Sequence, residues 1–529
     1  MEQKLLNKKQ LVNSFLKKGL LLSSDILTRI EREEDLERIF DLITPQNTKE
    51  VSVLGIDTKE ILDIGKKPDV NWVELDQLRV LFEKGKNTNS YRNFVDYFLS
   101  KPEEPKSEFK GEGNVKVLFS YTKESKKRTV EDFAQHFFSR YNIIEKILKN
   151  RQDLKNVTSI NRILAKKDRE NIAIIGLVNE KHTTKNNNIM LVLEDRTGYI
   201  KVLVNKNKPA LYNLAREIVL DEVIGVAGVK GENVIFANDI LFPDIPNTNE
   251  AKKAADESYV IFLSDLHVGS LNFLEDDFNK FLKWVNCEIG SEAQKKIASK
   301  IKYIFVLGDL VDGCGVYPEQ EKDLLIKDIR EQYTECARLL KKIPQNIHLV
   351  ICPGNHDAMR VAEPQLPLYE DFAKPLYDMP NVIMVSNPAL VNIHSSGNFP
   401  GFNVLLYHGY SFDYFIAEVD SLRNNGGYDR ADLIMKFLLQ KRHLAPTHTS
   451  TLYIPDIDKD PLVIDKIPDF FVSGHIHKSV ASNYKNITMI CSSCWQGKTA
   501  YQEKMGHNPE PSRVPIVNLQ TREVKILKF

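Results

Sequence analysis

Apolar and polar positions follow three different rules along this chain. Up to about residue 45, apolar side chains recur every three to five positions, through Leu11, Phe15, Leu20 and Leu21 and then Ile26, Ile30, Leu36, Ile39 and Phe40. That spacing predicts short helices. Nothing in this module, residues 1–45, resembles chemistry, so contact with another protein is its expected role. Over 46–113 the periodicity fades, and Lys101-Pro102-Glu103-Glu104-Pro105-Lys106-Ser107 followed by Gly111-Glu112-Gly113 has the composition of a linker. In 114–154, alternating Val115, Val117 and Phe119 predict one strand, and Phe133, Phe137, Tyr141, Ile144 and Leu148 predict a helix, a segment expected to lead into the next domain.

Over 155–247 several strand signals follow in quick succession. Strands are predicted at 172–178, 189–194, 199–204, 223–229 and 234–240, separated by turns such as Asp195-Arg196-Thr197-Gly198 and Lys230-Gly231-Glu232-Asn233, with one helix over 210–217. Five short strands and an interposed helix suit an OB-type β-barrel, a fold that serves nucleic acids and proteins alike. From 257 to 529 apolar runs alternate with helical stretches, the pattern of an α/β domain. The expected fold class is therefore α/β within an α+β multidomain chain.

At 529 residues there is room for three or four domains. A hydrophobic share of 42% with 25 Gly and 23 Pro excludes collagenous and wholly disordered chains. No run approaches the ~18 apolar residues of a membrane span, and Lys4, Asn7, Lys8 and Lys9 interrupt the apolar start, so neither signal peptide nor membrane anchor is expected. Lys+Arg 72 cancels Asp+Glu 72, and any basic surface must be local. One such segment runs from Tyr121 to Glu170, with 13 Lys/Arg against 7 Asp/Glu; a solvated helix face is its simplest reading. Six widely spaced cysteines point to a reducing, cytoplasmic setting, and the one close pair, Cys491 and Cys494, is read as structural or incidental.

The chemistry lies where five apolar runs end. Tyr259–Leu263 leads to Asp265 and His267, Tyr303–Leu307 to Asp309 and Asp312, His348–Cys352 to Asn355, His356 and Asp357, Val404–Tyr407 to His408, and Phe470–Ser473 to His475 and His477. Residues just beyond the carboxyl ends of strands in an α/β sheet share one crevice. Neutral imidazoles and carboxylates are the ligands that hold zinc, iron or manganese, and a central Asp can bridge two cations. Five of the 12 histidines fall in these motifs, whereas His136, His182, His394 and His507 read as surface or core residues. Glycines beside nearly every candidate ligand are expected to permit sharp turns and close approach of a phosphate.

The order Asp265-Leu266-His267, Gly308-Asp309-Leu310-Val311-Asp312, Gly354-Asn355-His356-Asp357, His408 and Gly474-His475-Ile476-His477 resembles the calcineurin-like metallophosphoesterase superfamily. The resemblance implies a metallophosphoesterase sandwich holding two divalent ions. Asp265, His267, Asp309 and His477 would hold one ion, and Asn355, His408, His475 and the bridging Asp309 the other. His356 would act at the leaving oxygen, with Asp312 and Asp357 behind, orienting histidines and loops.

From about Val115 to Phe529 the chain is also similar to the small subunits of archaeal family D DNA polymerases. Leu193–Gly198, Arg442-His443-Leu444-Ala445-Pro446, Pro468-Asp469, Gly506-His507-Asn508-Pro509 and Arg513–Val517 carry that similarity. It implies a manganese-dependent 3′–5′ exonuclease that proofreads DNA, because every ligand position that eukaryotic B subunits have lost is intact. The implied partners are a large polymerising subunit, primer-template and single-stranded DNA, and the sliding clamp. A scaffold subunit with an idle metal site, or a free-standing metallophosphatase, are the alternatives.

Overall fold

The computed structural model describes residues 114–529, apart from 124, 125, 155, 167, 168 and 505, together with two short segments, 20–22 and 52–54. In the unit spanning residues 1–108, β1 (Leu20–Leu22) and β2 (Ser52–Leu54) pair in parallel. Leu20 and Leu21, helical positions by spacing, are therefore in a strand. The remainder of the predicted helical module and linker lies outside the described residues.

The second unit opens with β3 (Val115–Ser120) and α1 (Val130–Lys149). Thr129 caps α1: its side chain accepts from the Asp132 amide, and the Asp132 carboxylate accepts from the Thr129 amide. The barrel comprises β4 (Asn171–Thr183), β5 (Ile189–Asp195), β6 (Gly198–Val204), β7 (Val223–Lys230) and β8 (Val234–Leu241), closed in the order β4-β5-β6-β8-β7. Its helix is α2 (Pro209–Arg216). Alternate residues such as Leu191 and Leu193, or Val202 and Val204, fill the interior.

The C-terminal domain stacks two six-stranded sheets. The first orders β12 (Val382–Met384), β11 (His348–Cys352), β10 (Ile301–Leu307), β9 (Tyr259–Leu263), β18 (Arg513–Asn518) and β19 (Val524–Lys528), its first four strands parallel. The second orders β16 (Val480–Tyr484), β17 (Ile487–Cys491), β15 (Phe470–Ser473), β14 (Phe402–Leu406), β13 (Ala389–Ile393) and β3. The strand predicted to lead into the barrel is thus an edge of this second sheet, paired antiparallel with β13.

Val260, Phe262, Phe305 and Val350 of one sheet meet Val391, Val404, Phe470 and Val472 of the other. The opposite face of the first sheet, through Ile261, Leu263, Ile304 and Val306, packs on helices. Strands buried on both faces read as unbroken apolar runs, so their partners and layers are hidden from the pattern.

Barrel and sandwich are joined by buried ions. Asp460 Oδ2 receives Arg140 Nε at 2.7 Å and His443 Nε2 at 2.9 Å, with His136 Nε2 at 3.2 Å, and all four side chains are essentially inaccessible. Backbone amides fix both imidazoles: Asp456 N–H donates to His136 Nδ1 and Ala445 N–H to His443 Nδ1, which leaves each Nε2 as the protonated edge facing Asp460. Arg140 also donates to the carbonyls of Asp221, in the barrel, and Pro446. Beside it, Lys441 Nζ meets Glu222 at 2.9 Å in a second buried pair. The segment Arg442–Pro446, one carrier of the family resemblance, is therefore part of a clamp between domains.

Candidate metal centre

β9, β10 and β11, parallel neighbours in the first sheet, and β14 and β15, parallel neighbours in the second, deliver from their carboxyl ends every residue singled out above. The turns that follow β9, β10 and β15 are strained. Asp265 (φ 51), His267 (φ 51), Asp309 (φ 52), His475 (φ 70) and His477 (φ 55) all occupy the left-handed region, which costs a non-glycine residue of order 1–3 kcal/mol. Concentration of such strain on the candidate ligands fits a backbone shaped to aim side chains rather than to relax. Two glycines make that packing possible, in a different way from the expected approach of phosphate. A Cβ on Gly474 would lie 2.6 Å from Asp265 Oδ2, and one on Gly354 would lie 2.8 Å from the Asp309 carboxylate carbon. Both glycines make room for a neighbouring ligand.

Three groups of side chains place their donor atoms close enough to hold one ion: Asp265, His267 and His477; Asp309, His408 and His475; and His267, Asp309 and His356. Asn355 joins the second group, its Oδ1 3.0 Å from His408 Nε2. Asp309 lies between the groups, Oδ2 being 3.3 Å from His408 Nε2 and 4.0 Å from His267 Nε2, while Oδ1 accepts from the His356 amide at 2.8 Å.

The donor set suits divalent cations on two counts. Asp265 Oδ1 is buried and has no hydrogen-bond donor, with His477 Nε2 3.4 Å away. His267 Nε2 and His477 Nε2 face each other at 3.2 Å beside Asp265, so all three donors could serve one cation.

Each imidazole has its outer nitrogen engaged. His267 Nδ1 meets Asp312 Oδ1 at 3.1 Å, His408 Nδ1 donates to the Leu307 carbonyl at 2.7 Å, His477 Nδ1 meets the Gln502 amide at 2.9 Å, and His475 Nε2 meets Asp413 Oδ2 at 2.8 Å. Such partners set ring orientation and ligand basicity. Asp312 is itself held by Gln320 and Gln496. Asp357 orients loops rather than histidines: it accepts from the Gly354 amide and from Tyr333 Oη.

Charge follows the same geometry. Burial works to raise Asp309, yet His408, His356 and His267 hold it well below the carboxylate range. Burial likewise opposes His408, and Asp309 nonetheless brings it up to about 10. Asp357, buried and facing Asp309, is pushed up to about 7.

Asp413, Gln320, Gln496 and Gln502 escaped the sequence reading, since an isolated polar residue in a helix or loop carries no spacing signal. His507, read as an ordinary surface or core residue, stands at the rim of the centre. Its ring lies 4.4 Å from that of Tyr428, tilted by 43°, and burial lowers its pKa within the field of Asp413, His477 and His475. His136 is core, His182 is exposed, and His394 pairs with Asp256. Cys491 and Cys494 are free, buried thiols bonded to the carbonyls of Gly474 and Gln496.

Asp413 supplies a test of the two-group geometry. Asp413→Asn should weaken divalent-ion binding at the Asp309, His408 and His475 group by about 10–100-fold and spare the Asp265, His267 and His477 group. Manganese titration followed by electron paramagnetic resonance would show one of two affinities moving; equal shifts, or none, remove Asp413 from that role.

Among known proteins, the family profile of calcineurin-like phosphoesterases matches residues 258–479. The DNA polymerase II small subunit of Methanothermobacter thermautotrophicus is 41% identical over 400 residues, 76% of this chain and 80% of that one. The corresponding subunit of Archaeoglobus fulgidus is 39% identical over 404 residues, 76% of this chain and 78% of the relative. That of Pyrococcus abyssi is 37% identical over 403 residues, 76% and 63% of the two chains.

Proposed function

The chain belongs to the family of archaeal DNA polymerase II small subunits and contains a calcineurin-like phosphoesterase domain, and from that premise we propose that it is the proofreading 3′–5′ exonuclease subunit of a replicative polymerase. The observation that carries the reading is the complete donor set: Asp265, His267, Asp309, Asn355, His408, His475 and His477 converge, and each imidazole is backed by a protein partner. A scaffold with an idle site has no use for five strained residues, in three turns, aimed at one point.

Two divalent ions, manganese in this proposal, would supply charge neutralisation at the phosphate oxygens and a lowered pKa for water. The residues themselves divide the remaining work. Asp309 would serve both ions, Asp265, His267 and His477 the first, and Asn355, His408 and His475 the second. His356 Nδ1 donates to the Asp312 carbonyl at 2.8 Å, so Nε2 is the nitrogen left to the pocket. A proton carried there would pass to the leaving 3′ oxygen as the P–O bond breaks, returning the imidazole to its neutral form.

The partners in this reading are the large polymerising subunit, primer-template and single-stranded DNA, and the sliding clamp, at the chromosome in the cytoplasm. Among the described residues no helix is long and apolar enough to cross a membrane.

The direct test is the full chain with 5′-labelled single-stranded and mismatched primer DNA, with and without manganese. Stepwise shortening from the 3′ end is the expected result; endonucleolytic products, or intact DNA when the large subunit is also present, overturn the exonuclease reading. His356→Ala refines it, and should keep the full metal content by mass spectrometry while losing about 10²–10⁴-fold in rate. Loss of an ion in that variant would make His356 a ligand, a role its proximity to His267 and Asp309 allows.

A further inference from the structure

The basic segment noted in the sequence does not form a single solvated helix face. Before α1 it runs as a loop, and there it splits by partner. Lys123 is neutralised by Asp456 at 2.8 Å and Asp458 at 2.6 Å. Lys126 and Lys127 are exposed and Arg128 is half-buried, and no carboxylate among the described residues lies within ion-pair distance of these three. Arg128 Nε is buried without a hydrogen-bond acceptor. Like charge is then added: Arg360, whose guanidinium donates to the Pro364 carbonyl, lies 5.6 Å over the Tyr121 ring, where the field of Arg128 also reaches it.

Lys126, Lys127 and Arg128, with no carboxylate beside them among the described residues, call for an anion, and the position of the neighbouring Arg360 says which one. Gln365 Nε2 donates both to the Arg360 carbonyl at 3.2 Å and to the Gly354 carbonyl at 2.9 Å. Those two carbonyls are therefore no more than about 6 Å apart, and Gly354 directly precedes the candidate ligand Asn355. The cluster begins next to the metal centre. An aromatic surface accompanies it: Tyr369 acts on Arg360 and is 38% exposed, and Val361 is 37% exposed. Cations that track a backbone beside aromatic and apolar side chains that take a base are the combination that grips single-stranded nucleic acid.

We propose that Lys126, Lys127, Arg128 and Arg360, with Tyr369, form a ledge that binds single-stranded DNA upstream of the phosphodiester presented to the metal centre. The inference deepens the exonuclease reading and rests on it for the identity of the strand. It explains how a centre rich in carboxylates retains a polyanion, because the phosphates away from the ions meet positive charge. A frayed 3′ end would be held by its backbone and one stacked base, whereas a paired strand would present no free face to Tyr369.

The test uses the full chain and fluorescent oligo(dT) in anisotropy titrations without added metal. Combined Lys126→Ala, Lys127→Ala and Arg128→Ala should weaken binding at least tenfold at low salt and reduce the salt slope by about 2, three lost phosphate contacts at ~0.7 each for a single strand. Tyr369→Ala, whose ring is a surface group, should weaken it at least fivefold, in keeping with the loss of one stacking contact. Parent-like affinity and slope in the triple variant, with its melting temperature unchanged, overturn the ledge, as does a parent chain that does not bind oligo(dT). An acidic protein segment as the true occupant would give that same overturning result. Hydrolysis of bis(p-nitrophenyl) phosphate and of DNA by the parent with manganese separates the two ideas. No hydrolysis with binding lost in the variants would sink the nuclease and keep the ledge; hydrolysis with binding unmoved would do the reverse.

Discussion

Asp309→Asn is expected to abolish hydrolysis of single-stranded DNA and to cost the protein at least one bound divalent ion. Among the described residues Asp309 is the one carboxylate within ion-pair distance of both His267 and His408, so its charge is common to two of the ligand groups. Removing it takes the main counter-charge from His408, which would no longer be held up at about 10, and exposes His408 and His356 to each other without a mediator. Loss of several kcal/mol of transition-state stabilisation corresponds to a rate reduction of about 10³-fold or more. The amide variant keeps an oxygen to accept from the His356 backbone N–H, now 2.8 Å from Oδ1, so the turn itself should survive. Co-purification with the large subunit should therefore persist while metal content, read by mass spectrometry, falls. Near-normal cleavage by this variant would contradict a centre built around Asp309.

The second large effect concerns stability. Asp460→Ala should destabilise the chain by about 3–5 kcal/mol, because Arg140 would be left as an uncompensated buried charge, with two inward-facing imidazole N–H groups beside it. The expected fall in thermal midpoint is roughly 10 °C.

The same network predicts acid sensitivity. Burial and Arg140 lower His443 to about 4, so the native state keeps it neutral while the unfolded chain takes up a proton below its ordinary pKa of about 6.5. Asp460, against burial, is held well below the carboxylate range by His136, Arg140 and His443, so its contribution is complete above that range and lost as pH falls through the native value. Both signs agree. The midpoint of the parent should drop as pH falls from about 6.5 to 4, and further below that. A parent with a flat midpoint across this window, or an Asp460→Ala chain as stable as the parent, would show that the clamp contributes little.

Much of the architecture was written in the order of residues. Short apolar segments set off by turn residues marked all five barrel strands; in β5 and β6 one face meets the barrel core and the other is open, whereas β4 and β7 are covered on the outside as well by α1. Apolar runs ending in Asp, His, Asn and Gly marked the centre, since the carboxyl ends of parallel strands must share a crevice and those residue types have little reason to gather there except to hold cations. Residue order was silent on the origin of β3, whose alternation looks the same whether it joins a barrel or closes the edge of a distant sheet.

What only the tertiary structure decided are the contacts between residues far apart in the chain. Asp460 and Arg140 stand 320 positions apart, Asp413 and His475 62, and each is an ordinary polar residue until folding removes water from around it. Burial turns such a residue into a partner that must be satisfied, and position in space, which no local period encodes, selects which partner that is. The sequence by itself determined which groups can do chemistry, through their type and their place at strand ends. Packing determined which nitrogen of each imidazole faces the pocket and which partner stands behind it.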